Sequence, residues 1–260
     1  MPVRVEISDK WVRANVGPTV VVDSRAPRLF WEERFPVPGY AFLPEDVRTN
    51  LLSSAVGPPP EQPFFFLPKG PVEQWFDLNV DGLHVPHAAW TRDDPALRGL
   101  LILSWQPGVI DRWLEEDEEV AGHPRDPHKR VEAIASTRHV RVAVDGVTLA
   151  DSRSPVLLFE TDLPTRFYFP PDDVNLSVLT TSTNHSLCPY KGVADRYWDL
   201  TGQSALRNVA WSYSDPFPAV GKIAGRIAFY NELVDINIDD VDAPRPVSVF
   251  SAPSNRPHVD

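Results

Sequence analysis

Cysteine and long apolar runs are the scarcest features of this sequence. One cysteine, Cys188, stands among 260 residues, so no disulfide can form within the chain. No apolar run approaches the roughly 20 residues that a membrane-spanning helix needs. Residues 1–6 also lack the apolar core of a signal peptide. These absences predict a cytoplasmic protein with no membrane partner.

Basic residues are also in the minority. Lys and Arg number 25 against 36 Asp and Glu, which gives a net charge of −11. Such a field repels phosphate backbones, so the charge predicts no nucleic-acid partner, although a local basic pocket for a small anion stays compatible with it. Proline, in contrast, is abundant at 28 residues. Because proline breaks helix interiors, this composition favours short strands and turns.

The chain contains one module written twice. Its order never changes, and the offset drifts only from 128 residues (Asp23 to Asp151) to 121 (Trp90 to Trp211). The matched segments are Asp23-Ser24-Arg25 with Asp151-Ser152-Arg153, Glu32 with Glu160, Lys69-Gly70 with Lys191-Gly192, and Ala89-Trp90 with Ala210-Trp211. Self-similarity at this length predicts a duplicated domain rather than a solenoid, whose repeats are much shorter.

The domain organisation follows from this repeat. We expect a mainly β protein of two similar compact antiparallel β domains, each with a short helix, the second helix at 217–224. The predicted boundaries are 1–114 for the divergent first copy and 137–242 for the complete second copy. Residues 115–136, acidic and then proline-rich, predict a solvated connector, and 243–260 a flexible tail. The two copies are expected to pack as an intramolecular pseudo-dimer.

The second copy resembles the DUF427 family, which also carries the label "nucleotidyltransferase-like domain 9". The resemblance rests on an ordered series: Asp151-Ser152-Arg153, Leu158-Phe159-Glu160, Tyr168-Phe169-Pro170, His185 with Cys188-Pro189-Tyr190-Lys191-Gly192, Ala210-Trp211-Ser212-Tyr213 and Phe229-Tyr230. It implies a small, mostly β domain without an established activity. The first copy resembles a divergent member. The chain lacks the Gly-Ser loop followed by a pair of metal-binding aspartates that nucleotidyl transfer uses.

The Cys-Pro-Tyr-Lys-Gly loop holds the candidate catalytic residues. A thiolate nucleophile needs a neighbouring cation or helix N-terminus, and His185 and Lys191 flank Cys188 at three residues on either side. We therefore consider Cys188 as nucleophile, His185 as base and Lys191 as an anion-binding cation. The competing interpretation is a buried, unreactive cysteine beside a solvated lysine.

Four more residues are candidates for ligand binding. Arg153 and Glu160 are expected to form an internal ion pair that fixes strand ends, with an anion clamp or acid–base role as the alternative. Tyr190 and Trp211 are candidates to line a pocket for a flat ligand. No metal site is predicted, because His185 and Cys188 supply two ligands where a catalytic zinc needs three. The cofactor, if any, stays unknown.

Comparison of the two copies supports a functional role for the Cys-Pro-Tyr-Lys-Gly loop. Where the second copy has polar and sulfur groups between His185 and Tyr190, the first has the mostly apolar stretch 62–68. The reactive set is therefore not needed for folding. Three functions stay open: an enzyme acting on a small anionic or planar metabolite, a non-catalytic module that binds a ligand or protein, and nucleotidyl transfer as the family label implies.

Overall fold

A computed structural model describes residues 3–33, 35–60, 64–202, 206–252 and 256. The chain divides into two units, Met1–Asp126 and Pro127–Asp260, called here the first and the second unit. Each holds a seven-stranded and a four-stranded antiparallel sheet, so the mainly β prediction is confirmed.

The first unit contains eleven strands among its described residues. They are β1 (Arg4–Ile7), β2 (Val12–Val16), β3 (Thr19–Ser24), β4 (Arg28–Trp31), β5 (Gly39–Phe42), β6 (Leu52–Ala55), β7 (Val72–Val80), β8 (Leu83–Arg92), β9 (Leu101–Leu103), β10 (Arg112–Glu115) and β11 (Glu118–Glu119). The large sheet has the order β1-β4-β5-β9-β8-β7-β6, and the small sheet β11-β10-β2-β3.

The second unit repeats this arrangement. Its strands are β12 (Val131–Ala135), β13 (Val140–Val144), β14 (Val147–Ser152), β15 (Val156–Glu160), β16 (Arg166–Phe169), β17 (Leu179–Ser182), β18 (Ser186–Cys188), β19 (Gly192–Ala194), β20 (Arg196–Leu200), β21 (Ala210–Ser212), β22 (Ile227–Phe229), β23 (Asp235–Ile238) and β24 (Val241–Ala243). The large sheet runs β12-β15-β16-β22-β21-β20-β17 and the small one β14-β13-β23-β24. Strand for strand, the two units have the same order, and the second adds the hairpin β18–β19.

The repeated motifs have a structural basis in this shared frame. Ser24 donates to Asp46 at 2.7 Å, and its counterpart Ser152 donates to Asp173 at 2.5 Å. Both serines are buried. Each bond joins the end of a small-sheet strand to the 3₁₀ turn that follows a strand of the large sheet. The serine and the carboxylate recur in both units because each pair makes this same link.

Each unit packs two apolar layers. One lies between its two sheets, around Tyr40 and Phe42 in the first unit and around Phe167 and Phe169 in the second. The other lies on the outer face of the large sheet, because strand residues alternate between faces. Ala41 and Tyr168, which hold the same place in β5 and β16, both belong to this outer layer. The outer layer is where the two units differ most.

The segment expected to be a connector carries strands instead. Glu115 closes β10, β11 pairs with β10, and β12 at Val131–Ala135 pairs with β15. Glu115 is buried, accepting hydrogen bonds from the Tyr40 hydroxyl at 3.1 Å and the Lys10 ammonium at 2.5 Å. The acidic run is therefore partly internal, since alternate residues of a strand face opposite sides.

The segment expected to be a flexible tail is also structured in its described part. Residues 241–243 form β24, and Val249–Ser251 form a 3₁₀ turn with Ser248 as its N-cap. The ring of Phe250 lies 5.8 Å from that of Tyr230. Apolar contact thus holds a segment whose proline content predicted disorder; residues 253–255 and 257–260 lie outside the described part.

The predicted helix at 217–224 appears as a 3₁₀ stretch, Pro218–Ile223, kinked at Val220. Among the described residues, the first unit has short 3₁₀ turns at Pro44–Asp46, Thr49–Leu51 and Phe64–Phe66, and the second has further ones at Pro171–Asp173, Leu176–Val178 and Val249–Ser251. Nowhere in the described residues is there a helix long and apolar enough to cross a bilayer.

Candidate ligand site in the second unit

A platform of aromatic side chains covers the outer face of the second unit's large sheet. Tyr168 projects from β16, Tyr197 from β20 and Trp211 from β21, while Tyr213 and Tyr230 follow the ends of β21 and β22. All five side chains are buried in one cluster. We call this set the tyrosine platform.

The platform is hydrogen-bonded as well as apolar. The Trp211 indole N–H donates to the Tyr168 hydroxyl at 3.1 Å, and the Trp211 ring lies 4.5 Å from that of Tyr230. Burial raises the pKa of Tyr168, Tyr197, Tyr213 and Tyr230. The four phenols therefore stay protonated at neutral pH, and each hydroxyl can both donate and accept.

The hairpin β18–β19 carries the Cys-Pro-Tyr-Lys-Gly loop. Its turn closes by a hydrogen bond from the Lys191 N–H to the Cys188 carbonyl at 3.3 Å, and the Phe217 N–H donates to the Lys191 carbonyl at 3.1 Å. Gly192 has a φ of +95°, which side-chain-bearing residues rarely adopt. The turn therefore needs its glycine, and it brings Lys191 back toward Cys188.

Lys191 and Glu160 form a buried ion pair. The ammonium lies 2.5 Å from the carboxylate, and the exposed fractions of the two side chains are 11% and 9%. Burial disfavours the ammonium, but the charges of Cys188 and Glu160 outweigh that effect and raise the pKa of Lys191. Lys191 is thus held in its charged form.

Cys188 joins this pair to the platform. It is half-buried, while Ser186, two residues earlier on the same strand face, shares a 2.7 Å hydrogen bond with the Tyr197 hydroxyl. Cys188 contributes to the raised pKa of Lys191 and, after burial, to that of Tyr213. A half-exposed thiol, a buried ammonium, a carboxylate and several hydroxyls therefore meet in one place.

Residues 132–240, from β12 to just past β23, match the model of a family described as a domain of unknown function, DUF427. The second unit contains a DUF427 domain. No curated protein matches the chain. The family assignment agrees with the resemblance found in the sequence, and it places the loop, the ion pair and the tyrosine platform within one family domain.

Four predicted residues of the DUF427 domain come together, with Trp211 of the tyrosine platform as the fourth, and His185 and Arg153 lie elsewhere on its surface. Cys188, Lys191 and Glu160 share the site. His185 is exposed and lies just before the first residue of β18. The role of His185 as a base for Cys188 stays a prediction.

The expected ion pair between Arg153 and Glu160 is wrong. Arg153 is exposed, and its guanidinium lies 3.3 Å from His139, which in turn contacts Asp151 at 2.6 Å. The first unit has the same arrangement, with Trp11 bonded to Asp23 at 2.6 Å and Arg25 over the Trp11 ring. Arg153 therefore belongs to a surface cluster that both units keep.

The two aromatic candidates differ in position. Trp211 lies in the tyrosine platform as a hydrogen-bond donor, buried at 6% exposure. Tyr190 is half-buried in the hairpin turn, next to Lys191. No group of three or more His, Cys, Asp or Glu suited to a metal ion occurs among the described residues.

Sequence reasoning missed several members of the site. Tyr197, Tyr230 and Ser186 were not singled out, although the alternation of Tyr197 with the core residue Trp198 carried the signal. A second buried ion pair was also missed. Arg166 binds Glu232 through both guanidinium N–H groups, at 2.6 and 2.9 Å, with Ser248 donating to the same carboxylate. The guanidinium lies 5.4 to 5.7 Å from the rings of Tyr230, Trp211 and Phe250.

Proposed function

We propose that the DUF427 domain binds a small anionic or planar metabolite at the cluster formed by Cys188, Lys191, Glu160 and the tyrosine platform. One observation carries this proposal. A buried ammonium, a carboxylate, several buried phenols and a half-exposed thiol are gathered on a face where the first unit keeps the carboxylate, paired with Arg92, but has no thiol. Ionisable groups brought together at cost to stability are typical of functional sites.

The chemistry of the cluster fits such a ligand. Lys191 supplies a positive charge, and the hydroxyls of Ser186 and Tyr197 supply neutral donors beside it. Charge-assisted bonds of this kind hold a carboxylate or phosphate group. Aromatic faces next to them favour a flat partner. A ligand reaches the cluster from the side on which Cys188 is partly exposed to solvent.

A catalytic form of this function has one specific observation in its favour. Cys188 is half-buried and begins the turn that holds Lys191, whose backbone N–H donates to the Cys188 carbonyl at 3.3 Å. A cation beside a thiol stabilises the thiolate, which is the nucleophilic form. Binding without catalysis needs the same residues but no turnover, so the two forms are separated by product analysis.

Protection of Cys188 from alkylation tests the proposal. The folded protein is treated with iodoacetamide at pH 7, alone and with millimolar carboxylates, phosphate esters, nucleobases or nucleotide with Mg²⁺, and labelling is followed by intact mass. We expect rapid labelling that one class of compound slows at least about tenfold. A Cys188→Ser, Phe66→Cys variant, which moves the thiol to the position three residues before the Lys-Gly motif of the first unit, should show no protection.

Two results would contradict the proposal. Labelling of Cys188 only after unfolding would mean a thiol without access from solvent. Labelling that all compounds slow equally in both proteins would mean a non-specific effect on the reagent. Protection by nucleotide with Mg²⁺ alone would favour the nucleotidyl-transfer function of the family label.

A further inference from the structure

Residues 244–252 pass beside the outer layer of the second unit, where Phe250 packs against it. They follow the DUF427 match, which ends at residue 240. Among the described residues, this segment makes no backbone hydrogen bond to either sheet of the unit, so side-chain contacts hold it in place. Segments held in this way open more readily than paired strands. We call residues 244–252 the C-terminal strap.

Ser248 attaches the strap to the buried ion pair of Arg166 and Glu232. Its hydroxyl donates to the Glu232 carboxylate and accepts the Phe250 backbone N–H at 3.1 Å. Burial raises the pKa of Glu232, but the hydrogen bonds from Arg166 and Ser248 and the charge of Arg166 outweigh that effect and hold the pKa below its ordinary value. The bond from Ser248 is therefore made to an ionised carboxylate, which accepts more strongly than a neutral group.

Phe250 attaches the strap at a second point. Its ring lies 5.8 Å from that of Tyr230 and 5.7 Å from the Arg166 guanidinium. It is half-buried against the apolar cluster that contains the tyrosine platform. Val247, in the same segment, is 93% exposed and takes no part in the attachment.

Tyr230 belongs both to the strap contact and to the tyrosine platform. Its ring lies 4.5 Å from that of Trp211, and its hydroxyl hydrogen-bonds that of Tyr197. The Tyr197 hydroxyl shares a 2.7 Å hydrogen bond with Ser186 in β18, the strand that ends at Cys188. A chain of three hydroxyls therefore joins the strap contact to the hairpin, and hydrogen bonds in a buried chain strengthen one another.

We infer that the C-terminal strap holds the Cys188 hairpin in place through Tyr230 and Tyr197, and that release of the strap exposes the thiol. While the strap is attached, Phe250 restrains the Tyr230 ring. Once it is displaced, Tyr230 can turn away from Tyr197, and a hairpin of three residues on each side loses one of its supports. As a control of ligand access the inference rests on the proposed function, but the coupling itself is measured without a ligand.

A charge placed at Ser248 tests the inference. Ser248→Asp keeps an acceptor for the Phe250 N–H, since Asp also caps well, but it sets a second carboxylate against Glu232. Val247→Asp is the matched control, because it adds the same charge on an exposed side chain. In Ser248→Asp we expect faster hydrogen exchange in residues 244–252 and 186–194. Iodoacetamide should label Cys188 at least about fivefold faster, the lower end of usual coupling between sites, and Val247→Asp should behave as the wild type.

Phe250→Ala removes the second contact and should give the same result. Release of the strap by either variant, with the labelling rate of Cys188 unchanged, would overturn the inference, as would a strap that neither variant loosens. Faster exchange that extends to the hairpin β13–β14 would mean a general loss of stability and would also count against it. All these rates are measured without ligand, so protection of Cys188 in the wild-type protein decides the proposed function separately.

Discussion

Glu32 in the first unit and Glu160 in the second follow equivalent strands, but different cations neutralise them. Glu32 pairs with Arg92, which reaches across from β8. Glu160 pairs with Lys191 from the hairpin loop, and the place of Arg92 is taken by Tyr213. Both units thus place a cation beside this carboxylate, and the cation comes from a different part of the fold in each. In the second unit this cation is Lys191, which is buried close to the Cys188 thiol.

The shared Lys-Gly motif makes the same point. In the second unit Gly192 is required by its φ of +95°. In the first, Gly70 has an ordinary φ, but a Cβ there would collide with the Arg92 guanidinium. One glycine serves a turn and the other makes room for a cation. A motif retained in both copies therefore does not indicate one role, and the difference between the units lies in the chemistry that the motif supports.

Removal of either buried cation should have the largest effect. Lys191→Met and Arg92→Met each leave a carboxylate buried without its counter-charge, which costs about 3–5 kcal/mol of unfolding free energy. Lys69→Met is the matched control, because Glu32 keeps Arg92, and we expect a loss below about 1 kcal/mol. Hydrogen exchange read by mass spectrometry assigns each loss to its unit. Equal losses of unfolding free energy in Lys69→Met and Lys191→Met would contradict the different roles assigned to the two lysines.

Transplanting the first unit's cation should rescue the second. Lys191→Leu with Tyr213→Arg places a guanidinium where Arg92 stands in the first unit. We expect about half of the 3–5 kcal/mol lost in Lys191→Leu to return, since the carboxylate regains a partner. Urea unfolding of the single and double variants measures this. If the double variant is no more stable than Lys191→Leu alone, the two positions are not interchangeable.

A smaller effect is expected from Tyr168→Phe. The substitution keeps the ring and deletes the hydroxyl that accepts from Trp211 at 3.1 Å. A buried donor without an acceptor costs about 1–3 kcal/mol. Thermal unfolding and the indole N–H peak of Trp211 in a ¹H–¹⁵N spectrum are the readouts. No change in either would show that the platform does not depend on this bond.

The smallest effect expected at neutral pH is a loss of stability in the second unit caused by alkaline conditions. This loss grows as the pH rises. The folded protein raises the pKa of Lys191, Tyr168, Tyr197, Tyr213 and Tyr230. Groups raised in this way stabilise the fold fully below their unfolded values of about 10 to 10.4, and the stabilisation is lost as pH rises further. In the first unit burial raises the pKa of Tyr40 but lowers that of Lys69. A lowered lysine pKa changes stability with pH in the opposite direction, so the two groups partly offset each other. Hydrogen exchange between pH 9 and 11 should therefore show the second unit weakening first.

Most strands of the second unit follow from the sequence. The alternation of Val140–Val144 and the Asp145-Gly146 turn predict the hairpin β13–β14, and both turn residues adopt positive φ in the structure. Strands β11 and β12 were missed because charge and proline around them masked their alternation. Hairpin β18–β19 is only three residues long on each side, too short to show a period.

The site was partly predictable for a related reason. Cys188 and Lys191 are neighbours in sequence, so their proximity follows from a tight turn. Glu160 meets Lys191 across 31 residues, and spacing in sequence pointed to Arg153 instead. The tyrosine platform comes from β16, β20, β21 and the end of β22, and only the sheet order brings those strands together. Long-range pairing is the information that local patterns do not contain.

The rate of alkylation of Cys188 at pH 7, compared with that of the thiol in the Cys188→Ser, Phe66→Cys variant, tests the central claim most directly. Both positions are half-buried, and each stands three residues before the lysine of the shared Lys-Gly motif. If the second unit alone holds a reactive site, Cys188 should react with iodoacetamide at least about tenfold faster than its displaced counterpart, because reactive cysteines lie in partly exposed surroundings close to a cation. Equal rates, or reaction of Cys188 only on unfolding, would contradict the account.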